Sequence, residues 1–223
     1  MGIAENINLL KSEIPEGVNL VAVSKTKPNS AIQEAYEAGH RIFGENKVQE
    51  LSRKYEELPK DIEWHFIGHL QSNKVKYIAP FVSLIHGVDS WKLLKMINKE
   101  GRKNDRVIPC LLQFHIAEEE TKFGLDIEEA KALLEMPELK ELEHIDLVGV
   151  MGMATYTDDE SQVRKEFGKL KSIFEQLKDA YFAGKDSFKE ISMGMSGDYQ
   201  LAVDEGSTMV RVGSRIFGER EYH

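Results

Sequence analysis

Eight short apolar runs rich in β-branched residues, each followed by a stretch with helical spacing, leave this chain few folds to adopt. The runs lie at 19–25, 40–44, 63–68, 82–88, 107–115, 145–151, 188–194 and 208–213. Helical patterns fall between them, near 29–38, 46–57, 71–79, 90–100, 126–135, 158–182 and 197–205, and one more at 3–12 precedes the first run. Leu20-Val21-Ala22-Val23 and Leu111-Leu112-Gln113-Phe114 show little polar alternation, as expected of parallel strands covered on both faces. Regular alternation of strand and helix implies an α/β fold. A count of eight favours closure into a (β/α)8 TIM-like barrel with an extra N-terminal helix, although an open doubly wound sheet has the same periodicity. The 223 residues suit one such barrel. No Pro-, Gly- or Ser-rich linker divides them, so 1–223 reads as a single domain.

The longest helical segment shows how the pattern works. Thr157 and Glu160 have capping-box spacing, which predicts a helix start there. Val163, Phe167, Leu170, Phe174, Leu177 and Tyr181 then recur every three or four residues, forming one stripe to cover a sheet. Gly184 follows, where a helix can stop in a left-handed conformation. The pentapeptide Arg41-Ile42-Phe43-Gly44-Glu45 recurs as Arg215-Ile216-Phe217-Gly218-Glu219. Without flanking similarity, this is not read as a duplication.

Charge and composition remove several classes of function. Lys and Arg number 29 against 38 Asp and Glu, a net charge of −9, the wrong sign for a nucleic-acid binder or an anionic membrane surface. The single cysteine, Cys110, sits in an apolar run and reads as a buried core thiol. No apolar run approaches the ~20 residues of a membrane span. Residues 1–6 lack a basic region and an apolar signal core, so a cytoplasmic protein is expected. No His, Cys or carboxylate set has metal-ligand spacing, and no Walker or Rossmann glycine pattern occurs.

In an α/β barrel the C-terminal strand ends face the active site, which singles out several segments. In Val21-Ala22-Val23-Ser24-Lys25-Thr26-Lys27-Pro28, Lys25 falls at the end of the first run. Held against apolar walls, its amine would lose its proton readily and could attack an aldehyde. Lys27 competes on the same evidence, and a solvated strand-end lysine is the plain alternative. After the seventh run comes Ser192-Met193-Gly194-Met195-Ser196-Gly197-Asp198, in which Ser196 is a plausible helix N-cap and the small residues let a phosphate approach backbone amides. Gly213-Ser214, at the end of the eighth run, repeats the theme, and barrels often bind phosphate between these two loops. Arg211 lies between Val210 and Val212, and a buried arginine needs a partner, either a carboxylate or a ligand nitrogen. Asn46 follows the second run, and His69 sits near the mouth after the third. His65 reads as a hydrogen-bonded barrel residue.

Several segments carry a resemblance. They are Ala22-Val23-Ser24-Lys25-Thr26-Lys27-Pro28, Phe43-Gly44-Glu45-Asn46, Trp64-His65-Phe66-Ile67-Gly68-His69-Leu70-Gln71, Gly149-Val150-Met151-Gly152-Met153-Ala154, the Ser192–Asp198 segment, and Val210-Arg211-Val212-Gly213-Ser214-Arg215-Ile216-Phe217-Gly218. Together they resemble the pyridoxal phosphate homeostasis protein family, in family order and over nearly the whole chain. The resemblance implies a barrel like the N-terminal domain of alanine racemase. It also implies pyridoxal 5′-phosphate (PLP) held as a Schiff base on Lys25 rather than Lys27. Ser196, Gly197, Gly213 and Ser214 would hold the phosphate, Arg211 would face the pyridine nitrogen, and Asn46 would lie near the ring. His69 is counted with the cofactor-binding residues.

Two functions are compatible with such a site: a non-catalytic carrier or buffer of PLP, and a PLP-dependent amino-acid racemase. A two-base racemase needs an acid or base on each face of the cofactor. In alanine racemase the second comes from a C-terminal domain and a partner subunit. Here the sequence stops at His223, soon after the last run, so the carrier is expected. Its expected partners are PLP and the apo forms of PLP enzymes, and it is expected to be a monomer.

Overall fold

The computed structural model describes residues 2–118 and 123–219. Eight parallel strands form a closed barrel in chain order. They are β1 (Asn19–Val23), β2 (Ile42–Glu45), β3 (Glu63–Phe66), β4 (Leu84–Val88), β5 (Ile108–Phe114), β6 (Ile145–Gly152), β7 (Glu190–Met195) and β8 (Met209–Val212). The last strand returns to the first through the register Asn19↔Met209 to Ala22↔Val212. The open doubly wound alternative is thereby excluded.

Helix α1 (Ile3–Glu13) precedes the barrel. The others follow the strands: α2 (Asn29–Glu37), α3 (Val48–Glu57), α4 (Val75–Ile78), α5 (Trp91–Lys103), α6 (Ile127–Leu134), α7 (Glu160–Tyr181), α8 (Tyr199–Asp204) and α9 (Ser214–Phe217). The helix expected over 71–79 is a 3-10 turn at Ser72–Lys74 running into the short α4. The 3-10 segment Pro137–Glu141 and the four-residue α9 were not anticipated, since neither is long enough to show a period.

The stripe on α7 packs as its spacing predicts. Val163, Phe167, Leu170, Phe174 and Leu177 are buried, with Tyr181 at the margin. Full burial of one such side chain stabilises by roughly 1.5–3 kcal/mol. The cap differs from expectation. Asp159, not Thr157, is the N-cap, and its carboxylate accepts from the Ser161 and Gln162 amides. Thr157 Oγ1 instead accepts from Asp159 N. Gly184 does adopt a positive φ of 78°. The repeated pentapeptide is no structural repeat, because one copy lies in β2 and the other in α9 and the turn after it.

One apolar layer fills the space between sheet and helices. A smaller one, Val21, Leu84, Leu111, Met151 and Met209, fills the barrel interior. Cys110 is buried, and burial pushes its thiol well above the usual range. Polar side chains share the interior. His65 Nδ1 lies 3.0 Å from His86 Nε2, and His86 Nδ1 lies 2.9 Å from Ser192 Oγ. Strands β4 and β7 are not neighbours, so the second contact crosses the barrel. Among the described residues no helix is long and apolar enough to cross a membrane.

Candidate ligand pocket at the C-terminal mouth of the barrel

Strand β1 ends at Val23, and the chain turns at once. Lys27 N–H donates to Ser24 C=O at 3.0 Å, and Thr26 has a φ of 65°. Lys25 therefore sits in a turn just past the strand, on the wall of a cavity of about 670 Å³ at the C-terminal ends of the strands. The competing lysine points elsewhere. Lys27 Nζ donates to the carbonyls of Phe217, Gly218 and Glu219, capping the end of α9, and it does not line the cavity.

Arg211, on β8, lines the cavity although only 4% exposed. Its guanidinium donates to Ser192 Oγ at 2.5 Å and to the Gly152 carbonyl at 3.1 Å. Both acceptors are uncharged. Burial lowers the guanidinium to about 10, and the negative charge of Asp198 acts the other way. The same burial, without a counter-charge, holds His65 at about 3 and His86 well below its usual value, so both imidazoles are neutral near pH 7.

The small residues after β7 and β8 meet across the mouth. Ser196 and Gly197 line the cavity after β7, and Ser214 lines it at the start of α9. Ser196 is not the N-cap of α8, which begins after Asp198. Its Oγ instead accepts from Gly213 N–H at 3.1 Å, tying the two loops together. Gly213 lies beside the cavity rather than on its wall. A Cβ there would stand 3.1 Å from the Val23 carbonyl, so a bare backbone lets β8 end against β1. At Gly197 a Cβ would meet nothing within 4 Å. No side chain caps α9, so its first turn is left for water or a ligand.

Asn46 and His69 complete the rim after β2 and β3. The His69 ring stacks on Phe123 at 4.5 Å, and its Nδ1 lies 3.8 Å from Asp89 Oδ2. Burial raises the Asp89 carboxyl, opposed by His69.

The sequence reading missed the fourth side of the cavity, Thr155 to Asp158 after β6. The strand-end rule that selected Lys25 applies equally there, but Thr155-Tyr156-Thr157-Asp158 names no chemistry by itself. Glu166 fixes this loop, accepting from Thr155 N at 2.6 Å, Thr155 Oγ1 at 2.7 Å and Glu118 N at 3.1 Å. Burial pushes Glu166 up, but these hydrogen bonds outweigh it and leave the carboxyl below its usual range. Tyr156 and Phe123 both line the cavity and are 97% and 59% exposed, so part of its wall faces solvent. Among the described residues no His, Cys, Asp and Glu cluster could hold a metal ion.

The closed parallel barrel thus presents a lysine, a buried arginine and small-residue loops to one cavity at its mouth, the layout of a barrel protein that binds a small ligand. The family model of the alanine racemase N-terminal domain matches residues 2–221. The chain is 41% identical over 204 residues to the pyridoxal phosphate homeostasis protein of Aquifex aeolicus, covering 91% of this chain and 87% of that one. To the human protein of the same name it is 40% identical over 213 residues, covering 91% and 77%. The solved structure of PipY from Synechococcus elongatus with PLP bound superposes with a TM-score of 0.87 at 37% identity, covering 97% of this chain and all of that one. Alanine racemase from E. faecalis shares the fold at a TM-score of 0.77 and 16% identity, and this chain covers 58% of it. The chain belongs to the pyridoxal phosphate homeostasis proteins, within the alanine racemase N-terminal domain family.

Proposed function

We propose that this protein binds PLP in the mouth of the barrel, as a Schiff base on Lys25, and serves as a carrier or buffer in intracellular PLP homeostasis rather than as an enzyme. The observation that carries the reading is the convergence of Lys25, Arg211 and the Ser196–Gly197 and Ser214 loops on one cavity, while Lys27 is spent on α9. The residues fit the ligand. An amine meets the aldehyde, backbone amides beside Ser196, Gly197, Gly213 and Ser214 receive the phosphate, and Arg211 donates to the ring nitrogen. Asn46 and His69 flank the ring. That a relative's structure holds PLP supports PLP as the ligand.

The arginine also argues against catalysis. Enzymes that need a strong electron sink usually keep the pyridine nitrogen protonated with a carboxylate. A guanidinium only donates, so it favours the unprotonated nitrogen, and a ring in that state stabilises a substrate carbanion weakly. Tyr156 and Phe123 on the cavity wall are exposed, and access of water to the site would further penalise such chemistry. The cytoplasm is the expected compartment, with apo PLP enzymes as recipients and the protein acting as a monomer and a single domain.

The test is the absorption spectrum of the purified protein with PLP, before and after borohydride, followed by peptide mass mapping. A visible band that borohydride removes, with the pyridoxyl mass on Lys25, is the expected result. The mass on Lys27 would refute the site, and efficient turnover of any amino acid would refute the carrier.

A further inference from the structure

Behind Lys25, outside the cavity, lies a cluster of charges that the binding reading does not use. Lys54, on α3, is fully buried. Its ammonium has three protons and meets three acceptors: Ser24 C=O at 2.8 Å, Glu45 Oε1 at 2.7 Å and Glu50 Oε1 at 2.7 Å. Glu50 Oε1 also accepts from Thr26 N–H at 2.7 Å, and Glu45 Oε1 accepts from Ser24 Oγ at 2.6 Å. The main-chain groups on both sides of Lys25 are thus tied to one ion cluster. None of Ser24, Glu45, Glu50 and Lys54 lines the cavity.

Two costs call for an explanation. Buried ion clusters are often no more stabilising than apolar packing of the same volume. The turn they hold is itself unfavourable. Thr26 has a φ of 65°, a conformation unfavourable for an ordinary side chain and poorly suited to a β-branched one. Strained backbone of this kind persists where the surroundings over-determine it. Here the surroundings are Glu50, which takes the Thr26 amide, and Lys54, which takes the Ser24 carbonyl.

We propose that Glu50 and Lys54 are positioning residues that hold the Ser24–Lys27 turn in the form that presents Lys25 to the aldehyde. The inference rests on the Lys25 reading above. Neither residue touches the ligand. Their effect is confined to the covalent part of binding and leaves the phosphate and ring contacts of the other strands alone.

The test compares two ligands. PLP can bond to Lys25, whereas pyridoxine 5′-phosphate carries an alcohol in place of the aldehyde and cannot. Glu50→Ala should weaken PLP binding about tenfold or more and leave pyridoxine 5′-phosphate within about twofold, the loss corresponding to one charge-assisted hydrogen bond. Glu50→Gln keeps an oxygen acceptor for Thr26 N–H and should hold PLP within about threefold of wild type. Equal losses for both ligands in Glu50→Ala mean a merely structural role and overturn the proposal, as does an unchanged PLP affinity. Should Glu50→Ala not fold, Glu50→Gln decides on the same ligand pair: a PLP-selective loss of tenfold overturns the hydrogen-bond account, and its absence supports it. A wild type without a borohydride-fixed group on Lys25 would sink the Lys25 reading itself, which separates the two failures.

Discussion

Acidification from pH 7.5 to 5 should destabilise this protein by several kcal/mol, because three histidines are kept neutral in the folded chain. Burial holds His40 at about 4 and His65 at about 3, and it lowers His86 well below its usual value. In the unfolded chain each titrates near 6.5. A folded value below the unfolded one gives stability that is complete above pH 6.5 and is lost as pH falls toward the folded value. At pH 5 the loss is about 2 kcal/mol per histidine, from roughly 1.5 pH units at 1.36 kcal/mol each. Three such losses approach about 6 kcal/mol, comparable with the whole stability of a typical domain. Two groups oppose them. Burial raises the carboxyls of Glu45, partly countered by Lys54, and of Asp89, partly countered by His69, so each holds a proton more readily in the folded chain than in the unfolded one. The net uptake on unfolding is then at most three protons, a slope of up to about 4 kcal/mol per pH unit. Urea unfolding of PLP-free protein at several pH values measures this slope directly. His40→Gln, which can still donate to the Ile42 carbonyl that His40 now contacts at 2.8 Å, should lower it by about one proton. Stability constant to within about 1 kcal/mol across the range would refute the reasoning, as would imidazole resonances that all titrate near 6.5.

Lys27→Ala should leave the reducible PLP band and its attachment to Lys25 intact, while costing about 1 kcal/mol through the lost cap on α9, read by thermal unfolding and peptide mapping. Gly149→Ala should cost more than about 3 kcal/mol, because its Cβ would lie 1.8 Å from the Glu190 carbonyl at a φ of 157°; soluble, cooperatively folding protein at wild-type stability would contradict the β6–β7 register. PLP at a hundredfold excess over its dissociation constant should stabilise the fold by about 2.7 kcal/mol, and pyridoxal at the same concentration should stabilise it much less, with equal melting shifts counting against a phosphate site at the loops after β7 and β8.

The barrel was legible in the sequence because most strand positions are buried and the longest helix carries an apolar stripe. The ends were less so. The run at 19–25 stops at Val23, and only tertiary contacts explain why: Glu50 and Lys54 lie 24 to 30 residues from the groups they hold. The pentapeptide in β2 and α9 makes the same point, since identical residues become strand in one place and helix in the other. Of the cavity wall, residue type and strand-end position picked out Lys25, Arg211, Ser196, Gly197 and Ser214. They could not separate Lys25 from Lys27, because the partners that occupy Lys27 are the carbonyls of residues 217–219 at the far end of the chain. The cap at Asp159 and the role of Ser196 went wrong for a related reason: several hydroxyls and carboxylates compete for a helix start, and the three-dimensional neighbours decide among them.

A protein of net charge −9 has no long-range attraction for a phosphate ester, so the mouth of the barrel must supply it locally. Charge alone does not. The cavity wall carries Lys25 and Arg211, and it also carries Asp158 and Asp198. Asp198 Oδ1 is already engaged by the Met195 amide at 2.5 Å, so it fixes the loop after β7 at the cost of placing a carboxylate beside the phosphate loops. Bond formation at Lys25 would commit that amine to the ring. Arg211 is held by Ser192 and Gly152, and in the proposed mode it would meet the ring rather than the phosphate. That mode would leave the phosphate to the backbone itself: the uncapped start of α9 and the small-residue loop that Ser196 ties to Gly213. Amide dipoles fixed by a barrel need no net charge and little reorganisation. In the proposed binding mode the glycines and serines at these strand ends would therefore be the chemistry of the phosphate site, and their lack of side-chain bulk is what would make it available.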